Sequence, residues 1–200
     1  MGSKLPVFTS IEAPDPDWQY NAWVSRWADW STYAEGFKAL ADMGVDRALQ
    51  GDPIDRTVYP IIFCYRQYLE LRLKELIVIA GKLLDQNVTR PNNHNLVQLW
   101  TMVRPLLEKV WHDTNLKQEL DGIGRVVAAF AKVDPRSYAF RYPVDKAGNA
   151  SLSDMDTINV KHLRKAIDGV AQTLNGASYG IEHELEIKAE MIAEYMQDAL

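Results

Sequence analysis

Only one cysteine, Cys64, occurs in the 200 residues of this chain. No disulfide framework can form within it, and a reducing, cytoplasmic setting is expected. Long hydrophobic runs are missing as well. The longest, such as "LIVIAG" at 76–81 and "VVAAFA" at 126–131, fall far short of the ~20 apolar residues that cross a bilayer. The N-terminus shows no charged, apolar and small-residue order of a secretory signal, so no membrane partner is expected. Positive charge is not in excess either. With 22 Lys and Arg against 27 Asp and Glu, the formal net charge is -5, which excludes a protein that coats nucleic acid through bulk charge. Any RNA or nucleotide site must then be a local basic patch.

Several chemical signatures are absent too. "GIGR" at 122–125 lies in a helical pattern and lacks the strand that a phosphate-binding glycine loop needs before it. "HELE" from His183 has Ile187 where a zinc helix would place its second histidine, so no metal is expected there. His112 and His162 stand isolated near helix ends. Cys64 follows Ile62 closely in an apolar pattern and reads as a small core residue rather than a reactive thiol. Neither a cofactor nor a nucleophile with an adjacent base is indicated.

What is present is helical periodicity. Residues 1–16 hold three of the nine prolines and no repeat, so they are expected as an extended N-terminal segment, with 17–200 forming a single domain. Trp23, Trp27, Trp30, Ala34, Phe37 and Ala41 alternate spacings of four and three, which predicts one helix, or two end to end, burying a tryptophan stripe. After the punctuation "GDPIDRTVYP", Pro60 suits a first helical turn, and a long helix is predicted to about Asp85 with Ile62, Tyr65, Leu69, Leu73 and Leu76 inward. Arg66, Glu70 and Lys74 form a polar column beside that face. It reads either as a solvated salt-bridge ladder or as a strip facing a partner helix and closing a site.

A third helix begins near Asn95, with Pro105 expected to bend or interrupt it near Arg104. The fourth runs from about Asn115 to Asp134, and the last opens at Asn159, where Gly176 and Gly180 are candidate kinks. Between them, 134–156 is one long irregular loop, and loops of that length in compact domains are usually functional. Phe140 and Tyr142 are expected to pin it to the bundle, leaving Arg141 free for anions. The fold class is therefore all-α: an antiparallel bundle of four to five long helices with one elaborate loop.

The stretch "NVTRPNNHNLVQLW", residues 87–100, is the best candidate for chemistry. His94 precedes a helix N-terminus, whose free N–H groups favour phosphate. An imidazole there can take a proton from a ribose 2′-hydroxyl while Arg90 steadies charge on the phosphate. Asn92 and Asn93 suit tight turns and can hydrogen-bond a base or phosphate oxygen. The bland alternative makes the asparagines and His94 capping groups and Arg90 a solvated cation.

Taken in order, "VYPIIFCYRQYLELRLKELIVIAGKLL", the arginine–histidine loop, "HNLVQLWTMV" and "DPRSYAFRYPVDKAGN" resemble HEPN-like helical domains, the higher eukaryotes and prokaryotes nucleotide-binding superfamily. The similarity covers roughly residues 57–175 and rests on order and spacing. It implies a four- or five-helix bundle, usually a homodimer with two sites near the dimer cleft. Many members are metal-independent endoribonucleases of toxin and antiphage systems; others have lost catalysis and bind a nucleotide, RNA or an operon-encoded partner protein. Carried over, the motif's arginine falls on Arg90, its histidine on His94 and its polar residue on Asn92 or Asn93, with Arg66, Glu70 and Arg141 as positioning or substrate-binding groups. Three residues separate Arg90 from His94 here, where the family has four to six.

Overall fold

A computed structural model describes residues 8–24, 26, 28–111 and 114–198. Five α-helices account for most of them: α1 (Trp30–Leu49), α2 (Val58–Leu83), α3 (Leu96–Val110), α4 (Thr114–Val133) and α5 (Val160–Asp198). Among the described residues no helix is long and apolar enough to cross a membrane.

The starts of the helices are set by local chemistry. Asp29, Asn95 and Asn159 each accept a backbone N–H from the first turn of α1, α3 and α5, from Thr32, Gln98 and His162 respectively. Such caps satisfy donors that a helix cannot satisfy itself. The Asp29 cap also corrects one expectation. The tryptophan stripe does not continue N-terminally, because Asp29 is extended and ends the helix there. Trp23 is 76% exposed, Trp27 lies outside the described residues, and only Trp30, Ala34, Phe37 and Ala41 belong to α1. Spacing repeated across a helix boundary does not put residues on one face.

α2 is the axis of the molecule, packed against α1, α3 and α5. The pairing of Arg72 with Ser31 and of Tyr65 with Asp42 sets α1 antiparallel to α2, while Tyr68 with Asn175 and Lys188 with Leu83 set α5 parallel to it. That parallel pair follows from the long return through α3, α4 and the 134–159 connection. Enclosed on three sides, α2 buries almost everything from Ile61 to Ile77. The solvated-ladder reading therefore fails: Arg66, Glu70 and Lys74 are 0%, 1% and 6% exposed, and the column faces inward.

Neither Pro105 in α3 nor Gly176 and Gly180 in α5 interrupts its helix. α3 continues through Pro105; losing one helical bond to the Thr101 carbonyl is offset by Val103, Leu106 and Leu107, all in the core. α5 likewise runs through Gly176 and Gly180. At Gly180 the missing side chain admits a ring: a Cβ there would lie 3.1 Å from Trp111 Cζ2. The 134–156 segment holds turns and a single bridge between Val144 and Ala150. Phe140 pins it as expected, at 7% exposure. Tyr142 instead stacks on Tyr138, centroids 4.4 Å apart.

Candidate functional site

The chain leaving α2 turns back along it. Asp85 takes a left-handed conformation with φ 54, and the Gln86 N–H returns to the Gly81 carbonyl at 2.9 Å, which closes the helix end. Val88 then lies directly on Gly81, where a Cβ would meet the Val88 Cγ2 at 2.6 Å and its Cβ at 2.8 Å. This contact lets the loop 84–95 hug the helix and fixes how far along α2 the loop delivers His94. Gly81→Ala is therefore expected to lose about 1–2 kcal/mol in urea unfolding despite alanine's better helix propensity, because branched carbon cannot yield as a flexible tip does. An unchanged midpoint would remove that reading of the contact.

At the end of the loop, His94 Nδ1 stands 2.7 Å from Glu70 Oε1, with the imidazole side chain 66% exposed and the carboxylate 2%. Glu70 is held from two more directions, by Lys74 Nζ at 2.9 Å and Arg66 Nη1 at 3.1 Å. Burial works against its ionisation, yet hydrogen bonds from Lys74 and His94, with their positive charge, outweigh it and hold the carboxyl below its ordinary range. Against an ionised carboxylate Nδ1 is the donor, and in the neutral ring that arrangement leaves the lone pair on Nε2.

Arg66 completes the arrangement through the backbone. Its Nη2 donates to the His94 carbonyl at 2.8 Å, and its Nε donates to the Asp134 carbonyl at 3.3 Å with the Asp134 carboxylate 3.6 Å away. One buried guanidinium thus ties α2 to the loop before α3 and to the segment after α4. Being fully buried, Arg66 and Glu70 reach no ligand directly. Of the two roles the sequence left open for them, positioning or substrate binding, their contacts match the first: Arg66 bonds the His94 carbonyl and Glu70 meets the His94 ring.

Most of the remaining predicted residues have partners of their own. The Arg90 guanidinium lies over the Trp30 ring, 4.9 Å from its centroid, on the first turn of α1. Among the described residues it has no hydrogen bond to His94 or to any carboxylate. Arg90 and His94 are thus held by different helices, α1 and α2. Asn92 is exposed, and Asn93 spends its side-chain oxygen on the Asn95 N–H at 3.1 Å. Arg141 belongs to a separate cleft of about 800 Å³ between α2 and the long loop, lined in part by Tyr59, Tyr142, Leu152 and Ile158. Its Nε donates to the Ser137 carbonyl at 2.6 Å, and its guanidinium lies over the rings of Phe63 and Tyr142.

The sequence pointed to a hydrogen-bonded turn at Asp134 but not to its burial beside Arg66, and it missed a second charged cluster altogether. Asp134 is 1% exposed; its Oδ1 accepts the Tyr138 and Ala139 N–H groups at 2.6 and 3.0 Å, and so shapes the loop entry. On the other side of α2, Arg72 bonds Glu75 at 2.6 Å, Ser31 and Ser178 each at 3.2 Å, and Glu35 at 3.2 Å. The i, i+3 spacing of Arg72 and Glu75 was the available signal.

Comparison with known protein families, with curated proteins and with solved structures finds no match for this chain.

Proposed function

We propose that this protein is an HEPN-like, metal-independent endoribonuclease of a bacterial toxin or antiphage system, in which His94 moves the proton. The observation that supports it is the 2.7 Å contact between His94 Nδ1 and buried Glu70, on a ring that remains two-thirds open to solvent. A histidine that merely packs has no use for a carboxylate fixed by two buried cations. In this reading Nε2 takes the proton from a ribose 2′-hydroxyl and the oxygen attacks the adjacent phosphorus. The bond to the 5′ oxygen breaks, a 2′,3′-cyclic phosphate forms, and the imidazolium returns the proton to the departing 5′ oxygen. Arg90, exposed and with no carboxylate partner among the described residues, is the phosphate-stabilising cation of this scheme. A homodimer of the HEPN kind would bring a second such site alongside.

A second reading has its own support. Arg90 rests on Trp30 rather than beside His94, as in a catalytically silent HEPN-like module that binds a nucleotide, RNA or a partner protein. The two part on one experiment. Single-stranded RNA of mixed sequence is incubated with the pure protein in EDTA, beside His94→Ala. Cleavage that falls by about 10²–10⁴-fold in the variant supports the enzyme, since that is the usual worth of a positioned acid–base group. Indistinguishable traces from the two proteins remove it and leave the binding module.

A further inference from the structure

We propose that the C-terminal part of α5 is a docking surface for a basic amphipathic helix of a partner protein, an inference independent of any role for His94. Through Val170, Leu174, Ala177 and Ile181, α5 buries a continuous stripe against the bundle. Its last tie is Lys188, whose ammonium bonds the Leu83 carbonyl at 3.2 Å and Asp85 at 2.6 Å where α2 ends. Beyond that point the neighbouring helices stop, but the stripe goes on. Ile192 and Met196 come eleven residues after Ile181 and Leu185, about three turns further on and on the same side. Ile187, Met191 and Tyr195 add an adjoining column. These five side chains are 56%, 62%, 38%, 66% and 74% exposed, in the order named. Apolar residues that keep core spacing with nothing laid against them among the described residues mark an interaction surface.

Charge selects the occupant. From 182 to 198 the helix carries Glu182, Glu184, Glu186, Glu190, Glu194 and Asp198 against Lys188 alone, a net of -5 that equals the formal charge of the entire chain. The rest of the sequence is left with 21 residues of each sign. Glu182, Glu186, Glu190 and Glu194 follow one another at four-residue spacing, an acidic column that borders the apolar face on its Ile187 and Met191 side, with Glu190 three residues from Ile187 and Glu194 three from Met191. Like charges so placed oppose the helix, and among the described residues none of these glutamates has an ion-pair partner. A second copy would bring the same negative charge against it, and an anionic membrane would be repelled in the same way. A partner helix with apolar residues at i, i+3 and i+4 and lysine or arginine along its flanks satisfies both the stripe and the column.

The test uses the full chain and a labelled probe peptide of roughly eighteen residues, leucine at i, i+3, i+4 and i+7 and lysine on the flanks, beside an isomer with glutamate for lysine. Fluorescence anisotropy should report saturable binding of the lysine peptide at about micromolar affinity, with the glutamate isomer at least about tenfold weaker. Ile192→Ser with Met196→Ser, and separately Glu190→Gln with Glu194→Gln, should each weaken binding by about tenfold. All four side chains are solvent-exposed, so the variants should keep the wild-type circular dichroism and thermal midpoint. Full affinity in the serine variant would reduce the effect to charge alone and overturn the proposal, as would equal binding of the two peptides or no saturable binding. Self-association in sedimentation equilibrium that disappears in the serine variant would assign the stripe to a second copy instead.

Discussion

Glu70→Ala is expected to cost the fold about 3–5 kcal/mol, the usual penalty for leaving buried charge without its counter-ion. Two cations lose their partner together. Arg66 keeps its bonds to the His94 and Asp134 carbonyls, but Lys74, 6% exposed, is left with no other ion-pair partner among the described residues. Urea unfolding of the variant beside the wild type measures this, and a loss under about 1 kcal/mol would show that water already compensates the site. Glu70→Gln should lie between, since an amide keeps the shape and one acceptor. The same group sets an acid limit. Because the folded carboxyl is held below its ordinary value of 4.5, its contribution is fully present above that value and is lost as pH falls through the lowered folded value. Glu70→Ala should therefore show a flatter stability profile below about pH 4.5 than the wild type.

Arg72→Ala should be comparably severe, again about 3–5 kcal/mol. Arg72 joins three helices, through Ser31 and Glu35 of α1, Glu75 of α2 and Ser178 of α5, so its loss unties the bundle and strands Glu75, which is 5% exposed. The pH dependence has the opposite sign here. Burial raises the Glu75 carboxyl above 4.5 even with Arg72 opposing it. Its charged form thus disfavours folding, with the penalty absent below the ordinary value and growing as pH rises through the folded one. The Arg72→Ala deficit should shrink on acidification, as the stranded carboxyl takes a proton. The double variant Arg72→Met, Glu75→Leu removes both charges and should recover most of the loss. Recovery absent from that pair would point to the Ser31, Glu35 and Ser178 bonds as the larger part.

Placing His94 ahead of a helix start needed only the local run of asparagines and apolar residues, and Asn95 does cap α3. Its ring partner was out of reach of such reasoning. Glu70 lies 24 residues earlier in the chain, and the two meet where the loop, with Val88 on Gly81 and the His94 carbonyl on Arg66, folds back along α2. The tryptophan stripe failed for the converse reason: a periodicity was carried across Asp29, a residue that ends helices by bonding their first N–H groups. Arg90 shows a third kind of limit, since its position follows from Trp30, which belongs to another helix.

Taken alone, the sequence determined the helices, most of their ends and, outside the tryptophan stripe ahead of α1, their inward residues. Caps, prolines and the 3.6-residue repeat act within a few residues of chain, so they need no knowledge of what lies opposite. Which charges are buried was decided only by the tertiary structure. The column of Arg66, Glu70 and Lys74 reads equally as a solvated ladder or as a strip facing a partner helix, and Arg72 and Glu75 carry no signal beyond their spacing, until α1, α3 and α5 close around α2. Only then does removal from water make each of them depend on a partner brought from elsewhere in the chain.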